Sequence, residues 1–144
     1  MTLKHLTTDL FIARQKATPS QLILDFDPSD VKLHGQQENR FYHGYYGEYC
    51  YLPMYVFCGE FPLAIRLRPS NIDASLGTDE IFKKLVPKLR AAWPEVRIII
   101  RGDSGFCREE LMRWCEDNDV DYVFGIAKNT RLARWSESAF VEST

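Results

Sequence analysis

Near the start of the chain the apolar residues first recur at helical spacing and then form one short continuous run. Four of them recur at helical spacing: Leu3, Leu6, Leu10 and Phe11. This spacing predicts an amphipathic helix up to about Lys16. Thr18-Pro-Ser ends the pattern, and Gln21–Asp27 (QLILDFD) follows as a short apolar run that finishes in acid. It predicts a buried strand whose carboxylates emerge at its end, before Pro28.

The middle of the chain predicts a loop and a hairpin. Val31–Gly47 is polar and aromatic and contains three glycines, which favours a structured loop. Tyr49–Phe57 and Phe61–Arg68 are typical of two strands, and the short Cys58–Glu60 segment between them suits a hairpin turn.

From Thr78 the apolar period becomes helical again. The positions that follow it are Ile81, Phe82, Leu85, Val86, Leu89, Ala92 and Trp93. Thr78 suits the N-cap of this helix, and Pro94 ends it. Val96–Ile100 predicts another buried strand.

The last part of the chain predicts further βα units. Glu109–Asn118 is typical of a helix, Asp121–Gly125 of a strand and Lys128–Trp135 of a short helix. We expect residues 136–144 to be a disordered tail. A hairpin followed by βα units implies an α/β fold, a mixed sheet with helices packed on it.

Length and composition indicate one folded domain. The chain has 144 residues, 45% hydrophobic and 26% charged, which is typical of a globular protein. Its apolar runs are too short to span a bilayer and no signal peptide is visible, so we expect the cytoplasm. The net charge of −2 does not by itself indicate a nucleic-acid-binding protein.

The cysteines do not suggest a zinc site. Cys50, Cys58, Cys107 and Cys115 form no C-x-x-C pair, and no histidine stands at ligand spacing from them. We expect reduced, mostly buried thiols.

Two acids follow buried strands and are candidates for chemistry: Asp27 and Asp103. Because sites in open α/β sheets form at the carboxyl ends of strands, the pair could converge on a divalent metal. The pattern alone favours the other interpretation, that both are turn residues, since aspartate favours strand ends and turn starts. Ser104 in Gly102–Gly105 (GDSG) resembles a hydrolase nucleophile, but no histidine base follows it, so we expect it to cap the next helix.

The aromatic loop permits two interpretations. His34-Gly-Gln-Gln-Glu and Phe41-Tyr-His-Gly-Tyr-Tyr are rich in amide and aromatic groups, which can contact phosphates and stack on exposed bases. The alternative is a loop that folds over the sheet with its tyrosines half-buried.

Several strings, in the right order, resemble the DDE transposases of bacterial insertion sequences, group one. They are LDFDPSDVKLHGQQ, FYHGYYGEYCYLPMYVF, LRPSNIDASLG and RGDSGF followed by VDYVFGIAKN. The resemblance implies an RNase H-like fold with a mixed five-stranded sheet, in which the first and fourth strands are neighbours. It implies that Asp27, in a D-x-S context, and Asp103 hold catalytic Mg²⁺ or Mn²⁺. Asp25 remains the alternative first ligand.

The resemblance also implies a DNA partner. In the intact protein the reaction is strand cleavage and strand transfer at terminal inverted repeats, in a homodimer or synaptic complex. Five side chains are then expected near DNA: His34, Gln36, Gln37, Tyr45 and Tyr46.

Members of that family are longer and carry a third catalytic acid, a glutamate, on a later helix. We therefore expect a fragment that is inactive alone, in which Glu137 is not the third ligand. Residues 1–16 would end an N-terminal helical region, 17–135 would form the partial catalytic core and 136–144 the tail. The rival functions are a metal-dependent repair or recombination nuclease of the same fold and a DNA-binding remnant without chemistry.

Overall fold

The structure, a computed structural model, describes residues 6–73, 75–127 and 129–142, without the side chains of 137–142. Its helices and strands in chain order are α1 (Leu6–Arg14), β1 (Gln21–Pro28), β2 (Val31–Lys32), β3 (Phe41–His43), β4 (Glu48–Tyr51), β5 (Met54–Cys58), β6 (Phe61–Arg66), α2 (Thr78–Ala92), β7 (Arg97–Gly102), α3 (Glu109–Asp117), β8 (Asp121–Phe124) and α4 (Thr130–Glu142).

The main sheet has five strands in the order β6-β5-β1-β7-β8. β1 pairs antiparallel with β5 and parallel with β7, and β8 extends the parallel half. The sheet is therefore mixed, as the hairpin followed by βα units predicts. In chain order, β1 is the first strand of this sheet and β7 is the fourth. The two are adjacent, which confirms the strand order that the resemblance implied.

One face of the sheet carries the hydrophobic core. Leu22, Leu24 and Phe26 on β1 are buried beside Ile98 and Ile100 on β7. The side chains that cover them come from α1, α2 and α3: Phe11, Phe82, Leu85, Leu89, Leu111 and Cys115. Burying each large apolar side chain stabilises the fold by about 1.5–3 kcal/mol. Since side chains alternate along a strand, the acids of β1 lie on the other face.

Helix α1 is part of this same core. The hydroxyls of Thr7 and Thr8 donate to the carbonyl oxygen of Leu63 in β6, at 2.7 and 2.8 Å. Phe11 is 4% exposed and contacts the ring of Trp93 edge-on. The helix ends at Arg14, two residues before the predicted end, and it packs against the sheet through these contacts.

The segment expected as a loop contains part of a second sheet. β2, β3 and β4 form a three-stranded antiparallel sheet in the order β2-β4-β3, which we call the small sheet. The single strand predicted over Tyr49–Phe57 is in fact two strands, one in each sheet. Pro53 lies at the break, and it cannot donate a ladder hydrogen bond because proline has no N–H.

Two predicted helix features differ from the structure. Gly77, in the left-handed conformation with φ 77°, occupies the N-cap of α2, and Thr78 is buried and donates to the carbonyl of Ser75. α4 begins at Thr130 and continues to Glu142. The tail expected to be disordered was residues 136–144; its residues 136–142 are helical, and residues 143 and 144 lie outside the described part of the structure.

The four cysteines are free thiols, as expected. Cys50 and Cys115 are buried, and burial raises the pKa of Cys115 to about 11. Among the described residues, no helix is both long and apolar enough to cross a membrane.

Candidate functional site: two aspartates at the carboxyl edge of the sheet

Asp27 and Asp103 lie toward the carboxyl ends of two adjacent parallel strands. The β1–β7 register runs from Gln21 opposite Arg97 to Phe26 opposite Gly102, and the two aspartates are the next residues. Asp103 keeps an extended backbone, with φ −73° and ψ −171°, so it continues the line of β7. Because neighbouring strands lie about 4.8 Å apart, the two acids are brought together although far apart in sequence.

The ion pair of the residues two positions earlier indicates that both acids lie on the same face of the sheet. Asp25 is opposite Arg101, and the guanidinium donates from Nε to Oδ1 at 2.5 Å and from Nη2 to Oδ2 at 2.9 Å. Since side chains two positions apart share a face, Asp27 and Asp103 follow this pair on the face turned away from the core. Both are exposed.

The same ion pair separates Asp25 from Asp27 as candidate ligands. Both oxygens of Asp25 accept hydrogen bonds from Arg101, whose pKa the carboxylate raises. Asp27 receives one long hydrogen bond, from the hydroxyl of Ser29 to Oδ2 at 3.5 Å. A cation would have to displace an arginine from Asp25 but only a weak donor from Asp27. The geometry therefore favours Asp27.

Asp103 also shapes the turn that follows β7. Its Oδ1 accepts a hydrogen bond from the backbone N–H of Gly105 at 2.8 Å, at the start of a 3-10 turn over Ser104–Phe106. The expectation that Ser104 caps the following helix was wrong, because α3 begins later and its N-cap is Arg108, without a side-chain hydrogen bond. Asp103 itself caps the 3-10 turn, and this hydrogen bond holds its side chain in one orientation.

Two glycines fix the backbone around Asp103, and the sequence did not single them out. A Cβ on Gly125 would lie 3.0 Å from the nitrogen of Ser104 and 3.2 Å from the carbonyl carbon of Asp103. A Cβ on Gly102 would lie 2.8 Å from the ring of Phe106. The N–H of Gly125 also donates to the carbonyl of Gly102 at 3.0 Å. The end of β8 therefore packs directly against the candidate site.

The loop before α2 is also hydrogen-bonded to the segment that follows Asp103. Arg108, which follows the 3-10 turn, donates to Oδ2 of Asp73 at 2.8 Å. Oδ1 of Asp73 accepts from both the hydroxyl and the backbone N–H of Ser75. These hydrogen bonds lower the pKa of Asp73, and the two from Ser75 have the largest effect.

The small sheet is attached to the same edge. The N–H of Ser29, just after β1, donates to the carbonyl of Pro53 at 3.2 Å. The hydroxyl of Ser70 donates to the carbonyl of Phe41 at 2.9 Å. Partial burial raises the pKa of Tyr46, and the nearby charges of Asp30 and Asp27 add to the rise. The hydrogen bond from Ser29 therefore ties the small sheet to the end of β1, the strand that carries Asp27.

The five side chains expected near DNA are all exposed. His34, Gln36 and Gln37 lie in the connection between β2 and β3, and Tyr45 and Tyr46 lie in the turn between β3 and β4. The structure thus places all five in the small sheet and its connections.

The donor set suits a hard cation. Mg²⁺ prefers oxygen ligands and is commonly held by one or two carboxylates, with waters and substrate phosphates completing the shell. Asp27 and Asp103 supply two such carboxylates on neighbouring strands. Among the described side chains, no group of three or more histidine, cysteine or acidic residues is placed to hold a metal. The residues present therefore fit part of a divalent metal site.

Glu137 lies in α4, and its side chain is outside the described part of the structure. The described side chains of that helix, residues 130–136, are all exposed. Over this stretch α4 is therefore not buried against the sheet.

The fold is similar to those of two transposases. The catalytic domain of Mos1 mariner transposase matches with a TM-score of 0.53 and 11% identity, over 88% of this chain and 60% of that one. A piggyBac transposase, solved as a synaptic complex with hairpin DNA, matches with a TM-score of 0.50 and 15% identity, over 86% of this chain and 27% of that one. These likenesses confirm the RNase H-like fold, and the chain spans less than two thirds of either structure.

No curated protein sequence matches the chain. A family model does: the transposase DDE domain, group 1, matches residues 1–143. This match covers nearly the whole chain, and both aspartates, the small sheet and the five-stranded sheet lie within it. The chain therefore belongs to the family of group 1 transposase DDE domains.

Proposed function

We propose that this chain supplies the first two metal-binding carboxylates of a transposase that cleaves and joins DNA at the ends of a bacterial insertion sequence. The observation that carries the proposal is the placement of Asp27 and Asp103 on one face, at the ends of adjacent strands. Family membership supplies the reaction class.

In this proposal Asp27 and Asp103 hold Mg²⁺ or Mn²⁺ at the carboxyl edge of the sheet. A divalent cation there activates the attacking oxygen and stabilises the leaving oxygen of a phosphodiester. The attacking group is first water and then a DNA 3′-hydroxyl. The hydrogen bond from Gly105 fixes Asp103, and the ion pair between Asp25 and Arg101 keeps the neighbouring carboxylate out of the metal shell.

The proposed partner is DNA carrying the terminal inverted repeats of the element, bound in the cytoplasm by a homodimer or synaptic complex. The piggyBac structure is a synaptic complex with hairpin DNA, which supports a DNA-bound assembly for proteins of this fold. His34, Gln36, Gln37, Tyr45 and Tyr46 are the proposed contacts, because they are exposed in the small sheet and its connections, which follow β1 directly in the chain. A third carboxylate is needed beyond the two described.

Iron-directed cleavage of the protein backbone tests the metal site. Fe²⁺ substitutes for Mg²⁺, and with ascorbate it generates radicals that cut the chain beside the bound ion. We expect cuts close to residues 27 and 103, suppressed by excess Mg²⁺ and absent in Asp27→Asn and Asp103→Asn. Cuts that persist in both variants would contradict the assignment.

The proposal that the protein acts on the ends of an insertion sequence has a separate test. We expect the genomic DNA around the gene to contain paired inverted repeats, with a helix-coding segment carrying the third acid between them. Flanks without paired repeats would instead favour the repair-nuclease alternative.

A further inference from the structure

Arg101 brings a positive charge to the part of the sheet that carries the two proposed metal ligands. It lies on β7, two residues before Asp103. At about 3.3 Å per residue, the two Cα atoms are about 7 Å apart along the strand direction. The side chain of Arg101 is 59% exposed, and that of its ion-pair partner Asp25 is 31% exposed. The guanidinium is therefore open to a ligand that approaches the aspartates.

The ion pair uses only part of the guanidinium. Arginine has five N–H donors, and Asp25 accepts one hydrogen bond from Nε and one from Nη2. Among the residues that the structure describes, none accepts a hydrogen bond from Nη1. Two parallel hydrogen bonds to one carboxylate also fix the plane of the guanidinium. The remaining donors are therefore held in one orientation, and their fork suits the oxygens of a phosphate.

The charge around Arg101 decides when a phosphate can bind there. Three carboxylates lie on this face toward the ends of β1 and β7: Asp25, Asp27 and Asp103. Three negative charges and the guanidinium sum to −2, which repels an anion. A divalent cation held by Asp27 and Asp103 brings the sum to zero. A phosphodiester is therefore admitted to Arg101 once that cation is bound, or once those two carboxylates are removed.

Arg97 offers a comparison on the same strand. Its side chain is 62% exposed and forms an ion pair with Asp121, from Nε to Oδ2 at 2.6 Å. Alternation along β7 places it on the same face as Arg101, but four residues, or about 13 Å, farther from the aspartates. At about 0.1 M salt the Debye length is about 10 Å, so a charge at Arg97 is largely screened from the site.

We infer that Arg101 binds a phosphate of the DNA at the aspartate pair and that Asp25 orients it for this contact. This role rests on the proposed function, because the bound cation removes the repulsion. The phosphodiester group contacts the cation through one oxygen and the guanidinium through another. A fixed arginine there also stabilises the negative charge that develops on the phosphate during attack.

Duplex binding without metal tests Arg101 separately from the cation. The parent protein is Asp27→Asn/Asp103→Asn, in which the loss of two negative charges gives the same local sum as the bound cation. The probe is a labelled blunt duplex of about 20 base pairs, roughly two helical turns. Phosphate contacts carry no sequence information, so the duplex needs no inverted repeat. Fluorescence anisotropy in EDTA, at about 50 to 200 mM salt, gives Kd and its salt dependence.

Three changes are then made in that parent. Arg101→Ala removes the proposed phosphate ligand. Arg97→Ala is the matched control, since it also removes one arginine and leaves one carboxylate, that of Asp121, without its ion pair. Asp25→Asn/Arg101→Ala removes both partners of the ion pair, so its net charge equals that of the parent. Circular dichroism checks that each variant is folded.

We expect Arg101→Ala to raise Kd about tenfold or more, the effect of losing a hydrogen bond between charged groups. The slope of log Kd against log salt should fall by about 0.9, the value for one phosphate contact. Asp25→Asn/Arg101→Ala should lose affinity as well, although its net charge is unchanged. Arg97→Ala should keep the Kd and the slope of the parent.

Four results would overturn this role of Arg101. They are no detectable binding of the duplex by the parent, an unchanged Kd in Arg101→Ala, an equal loss in Arg97→Ala, and a parental Kd in Asp25→Asn/Arg101→Ala. The third would show that net charge alone matters. The fourth would show that Arg101 acts only by neutralising Asp25.

The outcomes for Arg101 and for the metal site are separate. Iron-directed cuts near residues 27 and 103, without a specific effect of Arg101→Ala, would support the proposed function and refute the phosphate contact. A specific effect of Arg101→Ala, without iron-directed cuts in the wild-type chain, would support the phosphate contact and contradict the proposed metal site.

Discussion

Arg101 and Asp25 face each other across two parallel strands and form a two-point ion pair, and each lies two residues before a proposed ligand, Asp103 or Asp27. The pair occupies the carboxylate that would otherwise compete with Asp27 for a cation. It also lies on the same face as both proposed ligands. The roles of the three aspartates can therefore be separated experimentally.

Millimolar Mg²⁺ or Mn²⁺ should raise the melting temperature of the wild-type chain. Two neighbouring carboxylates repel each other, and a bound cation relieves that repulsion. At about ten times Kd the ligand stabilises the fold by about 1.4 kcal/mol, or about 3–6 °C for a chain of this size. Differential scanning fluorimetry measures the shift.

Three variants assign the metal-dependent shift to particular carboxylates. Asp27→Asn and Asp103→Asn should abolish it. Asp25→Asn should retain it, at a cost of no more than about 1 kcal/mol, because the ion pair with Arg101 is partly exposed. A shift that disappears in Asp25→Asn and survives in Asp27→Asn would make Asp25 the ligand instead.

Gly125→Ala should destabilise the fold by about 1–3 kcal/mol and weaken the metal-dependent shift. The added Cβ meets backbone atoms of Asp103 and Ser104, which cannot move aside without displacing the ligand. Gly44→Ala is the control, since a Cβ there has no described neighbour within 4 Å, and it should stay within about 0.5 kcal/mol of wild type. Urea unfolding measures both. Equal stabilities would show that the end of β8 does not support the site.

Asp73→Asn should cost stability at neutral pH and less in acid. Hydrogen bonds from Ser75 and the charge of Arg108 hold the pKa of Asp73 below its usual value. The stabilisation is therefore present above the unfolded-state pKa of about 3.9 and is lost as the pH falls through the folded-state value. Because the pair with Arg108 is half exposed, the difference should stay below about 1 kcal/mol. Unfolding curves of both proteins at about pH 6 and about pH 2 should differ at the higher pH and converge at the lower one; a constant difference would rule out this titration.

The chain alone should not nick supercoiled plasmid in Mn²⁺. With two of three carboxylates the attacking oxygen is poorly placed, which raises the barrier by several kcal/mol. Glu137 should not supply the third, because α4 is not packed on the sheet over residues 130–136, and a metal ligand needs a rigid support. Gel electrophoresis beside Asp27→Ala and Glu137→Ala decides this. Nicking by wild type that both variants abolish would show a complete site.

The sequence by itself determined the elements that define the sheet. The apolar runs of β1 and β7 and the helical period of α2 were recognisable because burial on one face imposes a local period. For the same reason, the positions of Asp27 and Asp103 at strand ends could be predicted. That they are adjacent was implied only by the resemblance to a family, since a strand's own residues do not encode which distant strand will pair with it.

The tertiary structure alone decided the rest. The strands of the small sheet are only two to four residues long, too short for a period to show. The ion pair that occupies Asp25 joins residues 76 positions apart, and the fit of Gly125 against Asp103 depends on how β8 meets β7. Such contacts are set by packing between segments distant in the chain, so only the folded arrangement could reveal which carboxylates are available to bind a cation.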